Sequence, residues 1–365
     1  MKVIHILHEL KFSGAEIMYV DSAGFFQKKG CELTVLASAK QLGEYAPYFE
    51  DSGYKVLHNP IPNQKDIFRR IRYYVWFIKL LKKEKFDVVH IHNYVTMFGL
   101  SFCAWFCNAK SIFTYHSVYK APFYTYPYHL YVRWFAKNIF KCKFQTISDS
   151  VYEHELEYFH NKTNKILNWY GNNRYFPAIA DEKHKARLEL GIDTDQFVII
   201  SIGGCSPIKR HSEIIKALPI ILKRKPKCIY LHLGCGTSES DELELAKELG
   251  VLNKIRFCGN QVDVRKYLIA SDVYLMTSQL EGISLTTIEA MACGIPAILY
   301  DVPGLRDFNK YGNNSVLIAE DYKLLAETIL NSDSDLSENA IQAIKHVNQF
   351  YNLEKNANQM YNLYL

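Results

Sequence analysis

The sequence predicts an α/β protein built from two doubly wound parallel sheets in tandem. Its 365 residues exceed the size of one ordinary hydrophobic core, which favours two domains. Strand-like apolar runs alternate with helical segments in two series separated by the polar stretch 177–195, a pattern typical of parallel sheets. The predicted domains are residues 1–172 and 173–345. A terminal helix over 346–365 is expected to pack back toward the first domain.

The first series opens with a β-α-β unit. An apolar run at 3–7 is followed by the turn-like segment KFSG at 11–14 and by a helical segment that ends at Gly30. Further strands are predicted from short runs rich in β-branched and aromatic residues, at 32–38, 86–92, 111–115 and 144–148.

The second series repeats this alternation after the polar stretch. Its strands are predicted at 197–203, 228–234, 254–259, 273–278 and 296–301, with helical segments between them. In open α/β sheets, ligands bind outside the carboxyl ends of the strands. We therefore expect the functional residues at those ends, in the cleft between the two domains.

Composition limits the classes of function. Hydrophobic residues make up 48% and charged residues 22% of the chain, as in a globular protein. The net charge of +5 divides into +8 for residues 1–170 and −3 for the rest, which indicates an anionic partner for the first half, or a chance asymmetry. The nine cysteines include no CxxC pair, and neither a signal peptide nor a membrane-spanning run is recognised. A reducing cytoplasm is the expected location.

The segment EGISLTTIE places a carboxylate on either side of a hydroxyl-rich turn. Glu281 follows a predicted strand, and Ser284 or Thr286 is placed to cap the next helix. The free N–H groups at such a helix start form an anion site suited to a diphosphate. Glu281 is then placed to accept from sugar hydroxyls, and Glu289 to hold a diol such as ribose. The structural alternative is a capping box formed by Thr286 and Glu289.

Two other loops at strand ends offer phosphate contacts. Lys209 follows the strand at 197–203 and is placed to neutralise a phosphate, with Arg210 adding a guanidinium fork; a solvated basic helix start is the alternative. Gly14, after Ser13, allows the backbone to approach a phosphate closely, although an ordinary β-α turn explains it equally well.

Histidines at strand ends are candidates for hydrogen bonding or acid–base chemistry. His116 ends the strand at 111–115, while His90 and His92 lie on one face at the end of the preceding strand. A zinc site needs further ligands, and Cys103 and Cys107 lie on a separate predicted helix. No metal and no cofactor are therefore expected.

The segment RRIRYYVWFIKLLKKEK at 69–85 combines seven basic residues with one acidic residue and several aromatic ones. It is either a core-facing helix with a solvated basic side or a helix that contacts an anionic membrane surface. The apolar face predicted at helical spacing consists of Ile71, Val75, Ile78 and Leu81 or Phe77.

The second half resembles the large GT4-type family (glycosyl transferases group 1) of retaining, nucleotide-sugar-dependent enzymes. The first half resembles that family more weakly, through SGAE at 13–16, DVVHIHN, FTYH and TISDSV. The segments that carry the stronger resemblance are ISIGGCSPIKRHSEIIKAL, LHLGCG, KIRFCGN, DVRKYLIASDVYLMTS, EGISLTTIEAMACGIPAILYDVPGLRD and YGNNSVLI. The resemblance implies the GT-B fold, in which two Rossmann-like domains face each other across a cleft.

Roles for particular residues follow from this resemblance. It implies that Glu281 contacts the donor sugar, that Glu289 holds the ribose and that His116 lies beside the sugar and acceptor. Catalytic roles fall to His116, Glu281 and Lys209. The donor-binding set comprises Ser13, Gly14, Lys209, Arg210, Glu281, Gly282, Ile283, Ser284, Leu285 and Glu289. Family members often carry an arginine where this chain has Gly204, and Arg210 is the candidate to replace its charge.

These observations predict a metal-independent, retaining glycosyltransferase that uses a nucleotide diphosphate sugar. The expected acceptor is a glycan or a lipid-linked glycan of surface polysaccharide or other glycan biosynthesis, and no nucleic-acid partner is expected. The expected location is cytoplasmic, with peripheral contact between 69–85 and the inner face of the cell membrane left open. The alternatives are a GT-B nucleotide-sugar epimerase and a non-catalytic nucleotide-sugar-binding protein.

Overall fold

A computed structural model of the chain describes residues 1–63, 65–331 and 333–365, without the side chains of residues 180 and 333–336. It divides the chain into two compact units, Met1–Trp169 with Leu353–Leu365 and Tyr170–Asn352. The division predicted from the sequence falls at residues 172 and 345. Each unit contains one parallel sheet with flanking helices, so the prediction of two doubly wound α/β domains is confirmed.

The sheet of the first unit has seven strands in the order β3-β2-β1-β4-β5-β6-β7. Every neighbouring pair is parallel, and the chain reverses direction of winding between β1 and β4. The inner strands are buried along nearly their whole length because helices cover both faces of such a sheet. The strands are β1 (Lys2–Leu7), β2 (Glu32–Ala37), β3 (Lys55–His58), β4 (Val88–Ile91), β5 (Lys110–Tyr115), β6 (Lys143–Thr146) and β7 (Asn164–Lys165).

The sheet of the second unit has six parallel strands in the order β10-β9-β8-β11-β12-β13. Here the winding reverses between β8 and β11, which are direct neighbours. Ligands of doubly wound sheets bind at such a reversal. The strands are β8 (Val198–Ile202), β9 (Ile229–Leu233), β10 (Ile255–Gly259), β11 (Val273–Met276), β12 (Ala297–Tyr300) and β13 (Val316–Ile318).

The helices connect these strands in chain order. Those of the first unit are α1 (Gly14–Lys28), α2 (Ala46–Asp51), α3 (Ile67–Glu84), α4 (Tyr94–Phe106), α5 (Tyr126–Asn138) and α6 (Asp149–Glu157), together with the last helix of the chain, α14 (Leu353–Tyr364). Those of the second unit are α7 (Ala180–Glu189), α8 (His211–Arg224), α9 (Glu239–Glu248), α10 (Val264–Ala270), α11 (Leu285–Ala292), α12 (Tyr322–Asn331) and α13 (Asp333–Phe350), and short 3₁₀ turns at Leu252–Lys254 and Arg306–Asn309.

The terminal segment 346–365, predicted as one helix, is divided between two helices. Helix α13 ends at Phe350. Directly after it, the carbonyl of Tyr351 accepts from the N–H of Tyr170 at 3.3 Å. Helix α14 then belongs to the first unit, where the buried Asn356 side chain donates to the carbonyl of Asn168 at 3.0 Å.

A buried chain of hydrogen bonds joins α14 to the first sheet. The Gln145 amide nitrogen donates to the carbonyls of Thr146 and Ile166, so its oxygen accepts from the Thr114 hydroxyl at 2.5 Å. The Thr114 oxygen must then accept from His90 Nε2, 2.7 Å away. His90 Nδ1 is left as an acceptor, and the Tyr364 hydroxyl donates to it at 2.8 Å. The network therefore fixes the tautomer of His90.

The buried face of the basic helix α3 overlaps only in part with the predicted apolar face. Tyr73, Phe77 and Leu81 are buried, whereas Ile71 and Val75 are 54% and 46% exposed. The rotation of a helix about its axis is set by the elements it packs against, and α3 packs against α4. Of the predicted apolar face, Leu81 and Phe77 thus lie in the core, whereas Ile71 and Val75 lie at the surface.

The Tyr364 hydroxyl should contribute to the stability of the first unit. Tyr364→Phe leaves His90 Nδ1 as a buried acceptor with no partner, so we expect a loss of about 1–2 kcal/mol in the free energy of unfolding. Urea unfolding followed by circular dichroism measures the loss. The matched control is Tyr361→Phe on the same helix, whose exposed hydroxyl makes only a 3.4 Å contact with Lys29. Equal effects of the two substitutions would contradict the role of the network.

Candidate active site

The site of the second unit is built where β8 and β11 end side by side. Lys209 lies in the loop after β8 and Glu281 in the loop after β11, and Lys209 Nζ is 2.5 Å from Glu281 Oε1. The Ser278 hydroxyl donates to the same carboxylate oxygen at 2.7 Å. Both charged side chains retain some exposure, 25% for Lys209 and 12% for Glu281. The two residues for which the sequence predicts phosphate and sugar contacts are therefore direct partners.

A glycine holds the loop that carries Glu281. The Glu281 N–H donates to the carbonyl of Pro303 at 3.3 Å, and the next residue, Gly304, has a φ of +82°. A Cβ atom at Gly304 would lie 2.4 Å from the carbonyl oxygen of Glu281. Only glycine allows both this conformation and this approach. This is the physical reason for the glycine in the segment VPGLRD at 302–307.

Helix α11 presents its amino end directly after Glu281. Ser284 is the N-cap, and its hydroxyl accepts from the N–H of Thr287 at 3.2 Å. In the described part of the chain, the N–H groups of 283–285 donate no hydrogen bond to protein, although these residues are buried. Buried amides need an acceptor, so this turn is suited to an anion.

The N-cap of α11 is Ser284 and not Thr286. Because Ser284 occupies the N-cap, Thr286 is the second helical residue, and its hydroxyl instead donates to the carbonyl of Ile202 at 3.1 Å. Glu289 lies one turn into α11 and is 5% exposed. Its carboxylate is therefore carried by the same short helix whose amino end follows Glu281.

Arg210 is directed to carboxylates. It has a left-handed backbone conformation with φ of +53° at the start of α8. Its guanidinium pairs with Glu320 and lies 3.7 Å from Glu213. A phosphate would have to compete with both carboxylates. The sequence offers Arg210 as the candidate to replace the charge of the arginine absent at Gly204, but it does not indicate these contacts with Glu320 and Glu213.

The first unit places Ser13 and Gly14 at the start of α1. Ser13 is the N-cap residue and Gly14 the first helical residue, and the Ser13 hydroxyl donates to the carboxylate of Glu16. Glu16 is 6% exposed, and this burial raises its pKa to about 7 despite the hydrogen bond from Ser13. The sequence contained Glu16 within the SGAE segment, but its burial is set by packing and was not predicted.

His116 ends a row of three buried or half-buried imidazoles. His116 Nε2 lies 2.9 Å from His92 Nδ1, and His92 Nε2 lies 3.3 Å from His5 Nδ1. Burial lowers the pKa of His116 to about 4, so this imidazole is neutral at physiological pH. His5, His92 and His90 approach one another closely enough to suggest a metal site. Both ring nitrogens of His90 are, however, engaged by Tyr364 and Thr114.

Each of the two units is a Rossmann-like domain with one parallel sheet, and the fold of the chain is that of GT-B proteins. The chain matches the model of glycosyl transferases group 1 over residues 182–359 and that of Glycosyltransferase Family 4 over residues 12–162. It therefore belongs to the group 1 glycosyltransferase family.

Individual relatives support this assignment. A D-inositol 3-phosphate glycosyltransferase of Rhodococcus erythropolis is 31% identical over 190 residues, which cover 48% of this chain and 42% of the relative. The Escherichia coli UDP-Gal:alpha-D-GlcNAc-diphosphoundecaprenol alpha-1,3-galactosyltransferase is 22% identical over 83% of this chain and 80% of its own length. The crystal structure of Anabaena Alr3699/HepE with UDP-glucose aligns with 100% of this chain and 99% of that one, with a TM-score of 0.82 and 18% identity. At that identity the likeness concerns the fold.

Burial of Glu16 should make stability depend on pH. Below the unfolded pKa, near 4.5, the carboxyl is protonated in both states and costs nothing. As pH rises toward 7, only the unfolded state ionises, so the free energy of unfolding falls and stays low above pH 7. Glu16→Gln should remove this loss and exceed the wild type by on the order of 3 kcal/mol at pH 8, with no gain at pH 4.

Urea unfolding of both proteins at several pH values measures this difference. The matched control is Glu44→Gln, which changes an exposed carboxylate of the same unit and should give a difference that is constant with pH. A constant difference for Glu16→Gln as well would contradict the effect of burial.

Proposed function

We propose that the protein is a retaining glycosyltransferase that moves a sugar from a nucleotide diphosphate donor to an acceptor hydroxyl. The observation that carries the proposal is the 2.5 Å pair of Lys209 and Glu281, directly before a turn whose buried amides donate no hydrogen bond to the described residues. A cation and several N–H donors suit a diphosphate, and a carboxylate beside them suits sugar hydroxyls. Membership of the group 1 family supports the same assignment.

The proposed donor contacts come from residues 281–289 and from Lys209 in the loop after β8. The diphosphate accepts from the backbone amides of 283–285, with Gly282 leaving room for its approach, and from the ammonium of Lys209. Glu281 accepts from the sugar hydroxyls, and Glu289 from the ribose. Arg210 contributes only if the phosphate displaces its carboxylate partners.

Catalysis on this proposal is electrostatic. As the sugar leaves, negative charge grows on the diphosphate, where Lys209 and the start of α11 stabilise it, so no catalytic metal is required. The acceptor hydroxyl attacks from the face of the leaving diphosphate, as retention in this family implies. The neutral imidazole of His116 donates to or accepts from a hydroxyl of the sugar or acceptor, and the turn of Ser13 and Gly14 contributes to the diphosphate.

A lipid-linked or membrane-borne acceptor is supported by the surface of α3, α4 and α5. Phe68 is 84% exposed on α3, and Phe123 and Tyr124 are 95% and 84% exposed just before α5. Lys82 of α3 lies over the ring of Phe106 on α4, so basic and aromatic groups are interleaved. No helix in the described ranges has the length and apolar character to span a bilayer. We propose peripheral contact with an anionic membrane surface, in keeping with a role in surface polysaccharide or other glycan synthesis.

Epimerisation and silent nucleotide binding are less well supported. The relatives named above are glycosyltransferases, and Lys209, Glu281 and Glu289 are all present on the loops and helix that the transferase proposal needs. Release of a free nucleoside diphosphate only when an acceptor is added distinguishes transfer from both alternatives.

Substitution of the ion pair should separate binding from transfer. Lys209→Ala removes a charge-assisted contact to the diphosphate, so affinity for the nucleoside diphosphate should fall about tenfold or more. Glu281→Gln releases Lys209 from its partner and should leave that affinity unchanged or tighter while transfer is lost. Isothermal titration calorimetry without added divalent cation measures affinity, with the nucleotide chosen by thermal-shift screening.

The control for this pair is Lys216→Ala on α8, which removes a lysine that pairs with Glu213. It should change neither affinity nor transfer. Equal losses for Lys209→Ala and Lys216→Ala, or a requirement for Mg²⁺ or Mn²⁺ in binding, would contradict the proposed mechanism.

The exposed aromatic residues should govern binding to membranes. Phe68→Ser with Phe123→Ser removes two side chains that would enter the interface, and sedimentation with anionic vesicles should weaken by on the order of tenfold. The control is Ile341→Ser, which changes a residue 60% exposed on α13. Equal binding of wild type to neutral and anionic vesicles would refute the preference for an anionic surface, and no effect of the double substitution would refute contact through these aromatic residues.

A further inference from the structure

Four side chains that the proposed transfer does not use meet inside the second unit. Cys205 lies in the loop after β8, His211 begins α8, His232 lies on β9 and Glu242 on α9. Each is at most 3% exposed. One sulfur, two nitrogens and a carboxylate oxygen, one ligand atom from each side chain, all lie within 4.8 Å of one another.

The spacing of these atoms resembles the edges of a tetrahedral zinc site. Cys205 Sγ lies 3.8 Å from His232 Nε2, and the carboxylate of Glu242 lies 2.9 Å from His232 Nε2 and 3.5 Å from His211 Nδ1. Zinc bond lengths give ligand-to-ligand separations of about 3.3 Å between nitrogen or oxygen atoms and about 3.6 Å to sulfur. Small side-chain adjustments would bring all four atoms to an ion.

Hydrogen bonding does not account for His211, whereas His232 Nε2 is hydrogen-bonded to the carboxylate of Glu242 at 2.9 Å. In the described part of the chain, neither ring nitrogen of the buried His211 has a hydrogen-bond partner. Leaving such groups unpaired in a dry interior is costly. His211 Nδ1 is directed toward the carboxylate of Glu242 without forming a hydrogen bond with it.

The buried carboxylate of the cluster is paired only with imidazoles. Within the described residues, the ion-pair partners of Glu242 are His211 and His232. A buried carboxylate without a permanent cation is unfavourable.

We propose that Cys205, His211, His232 and Glu242 bind one zinc-like divalent cation. A thiolate and a carboxylate balance its two charges, and two neutral imidazoles complete four-coordination. Sulfur and nitrogen ligands favour zinc over magnesium or calcium. On binding, the Cys205 thiol loses its proton to solvent, and the proton on His232 moves to Nδ1. Glu242 also lines a surface pocket of about 550 Å³ with Ser206 and Arg210, which offers an entry route.

The proposed site is structural, because all four positions are filled by protein. Cys205 and His211 lie on either side of Lys209 in the chain, so the ion fixes both ends of the loop that carries this lysine. Ser238 N–H donates to the carbonyl of Cys205, and a Cβ atom at Gly236 would lie 2.2 Å from that oxygen, so the β9 loop packs against the same segment. This consequence for the Lys209 loop rests on the proposed function, whereas metal binding does not.

The test is metal binding by the full chain. Protein produced in zinc-supplemented medium should contain one equivalent of zinc by elemental analysis. After the zinc is removed, Co²⁺ should give a thiolate-to-cobalt charge-transfer band and release about one proton per ion at neutral pH. Cys205→Ser should lose the band and weaken binding by about tenfold or more. Cys235→Ser, which changes an exposed thiol of the β9 loop, should keep the band and the stoichiometry.

Three results would overturn the proposal. Absence of both zinc and a cobalt band in the wild type would leave the cluster as a polar network only. Equal metal binding by wild type and Cys205→Ser would place the ion elsewhere. Loss of the band in Cys235→Ser but not in Cys205→Ser would show that Cys235, and not Cys205, supplies the thiolate. His211→Gln provides a second variant if Cys205→Ser does not fold, and circular dichroism checks the fold of each. Nucleotide transfer is not measured, so failure here leaves the glycosyltransferase proposal unaffected.

Discussion

The ion pair between Lys209 and Glu281 is the contact on which the account of this protein depends. It forms because β8 and β11 are neighbours where the winding of the second sheet reverses, so the loops after them meet. Ser278 and the close approach of Gly304 hold Glu281 in place. A half-buried pair of this kind contributes little to stability by itself. The pair keeps a cation and a carboxylate ordered beside the start of α11. In the proposed function, Lys209 exchanges Glu281 for a phosphate oxygen of the donor.

Both units bury histidines at or near their sheets, but the hydrogen bonding of these side chains differs. In the first unit, His90 is fixed between Thr114 and Tyr364, and every group in that chain has a defined donor or acceptor role. In the second unit, His211 has no hydrogen-bond partner within the described residues. The contrast explains why His90 is assigned to hydrogen bonding, while the cluster with Cys205 is proposed to bind an ion.

Much of the fold follows from local patterns in the sequence, and much of the site does not. The alternation of apolar runs predicts the inner strands, and the order of strands places residues 209 and 281 at one edge. Short edge strands such as β3 and β13 carry too few apolar residues to be recognised. The exposure of Ile71 and the engagement of Arg210 by Glu320 depend on packing partners distant in sequence. The cluster of Cys205 with Glu242 has the same origin, since no spacing in the chain indicates it.

The most direct test of the central claim is a crystal structure of the chain with its nucleoside diphosphate donor or an unreactive donor analogue. We expect the diphosphate on the amides of 283–285, with Lys209 Nζ moved from Glu281 to a phosphate oxygen and the Glu281 carboxylate within hydrogen-bonding distance of the sugar. A donor bound with the Lys209–Glu281 pair intact and the sugar distant from Glu281 would contradict it.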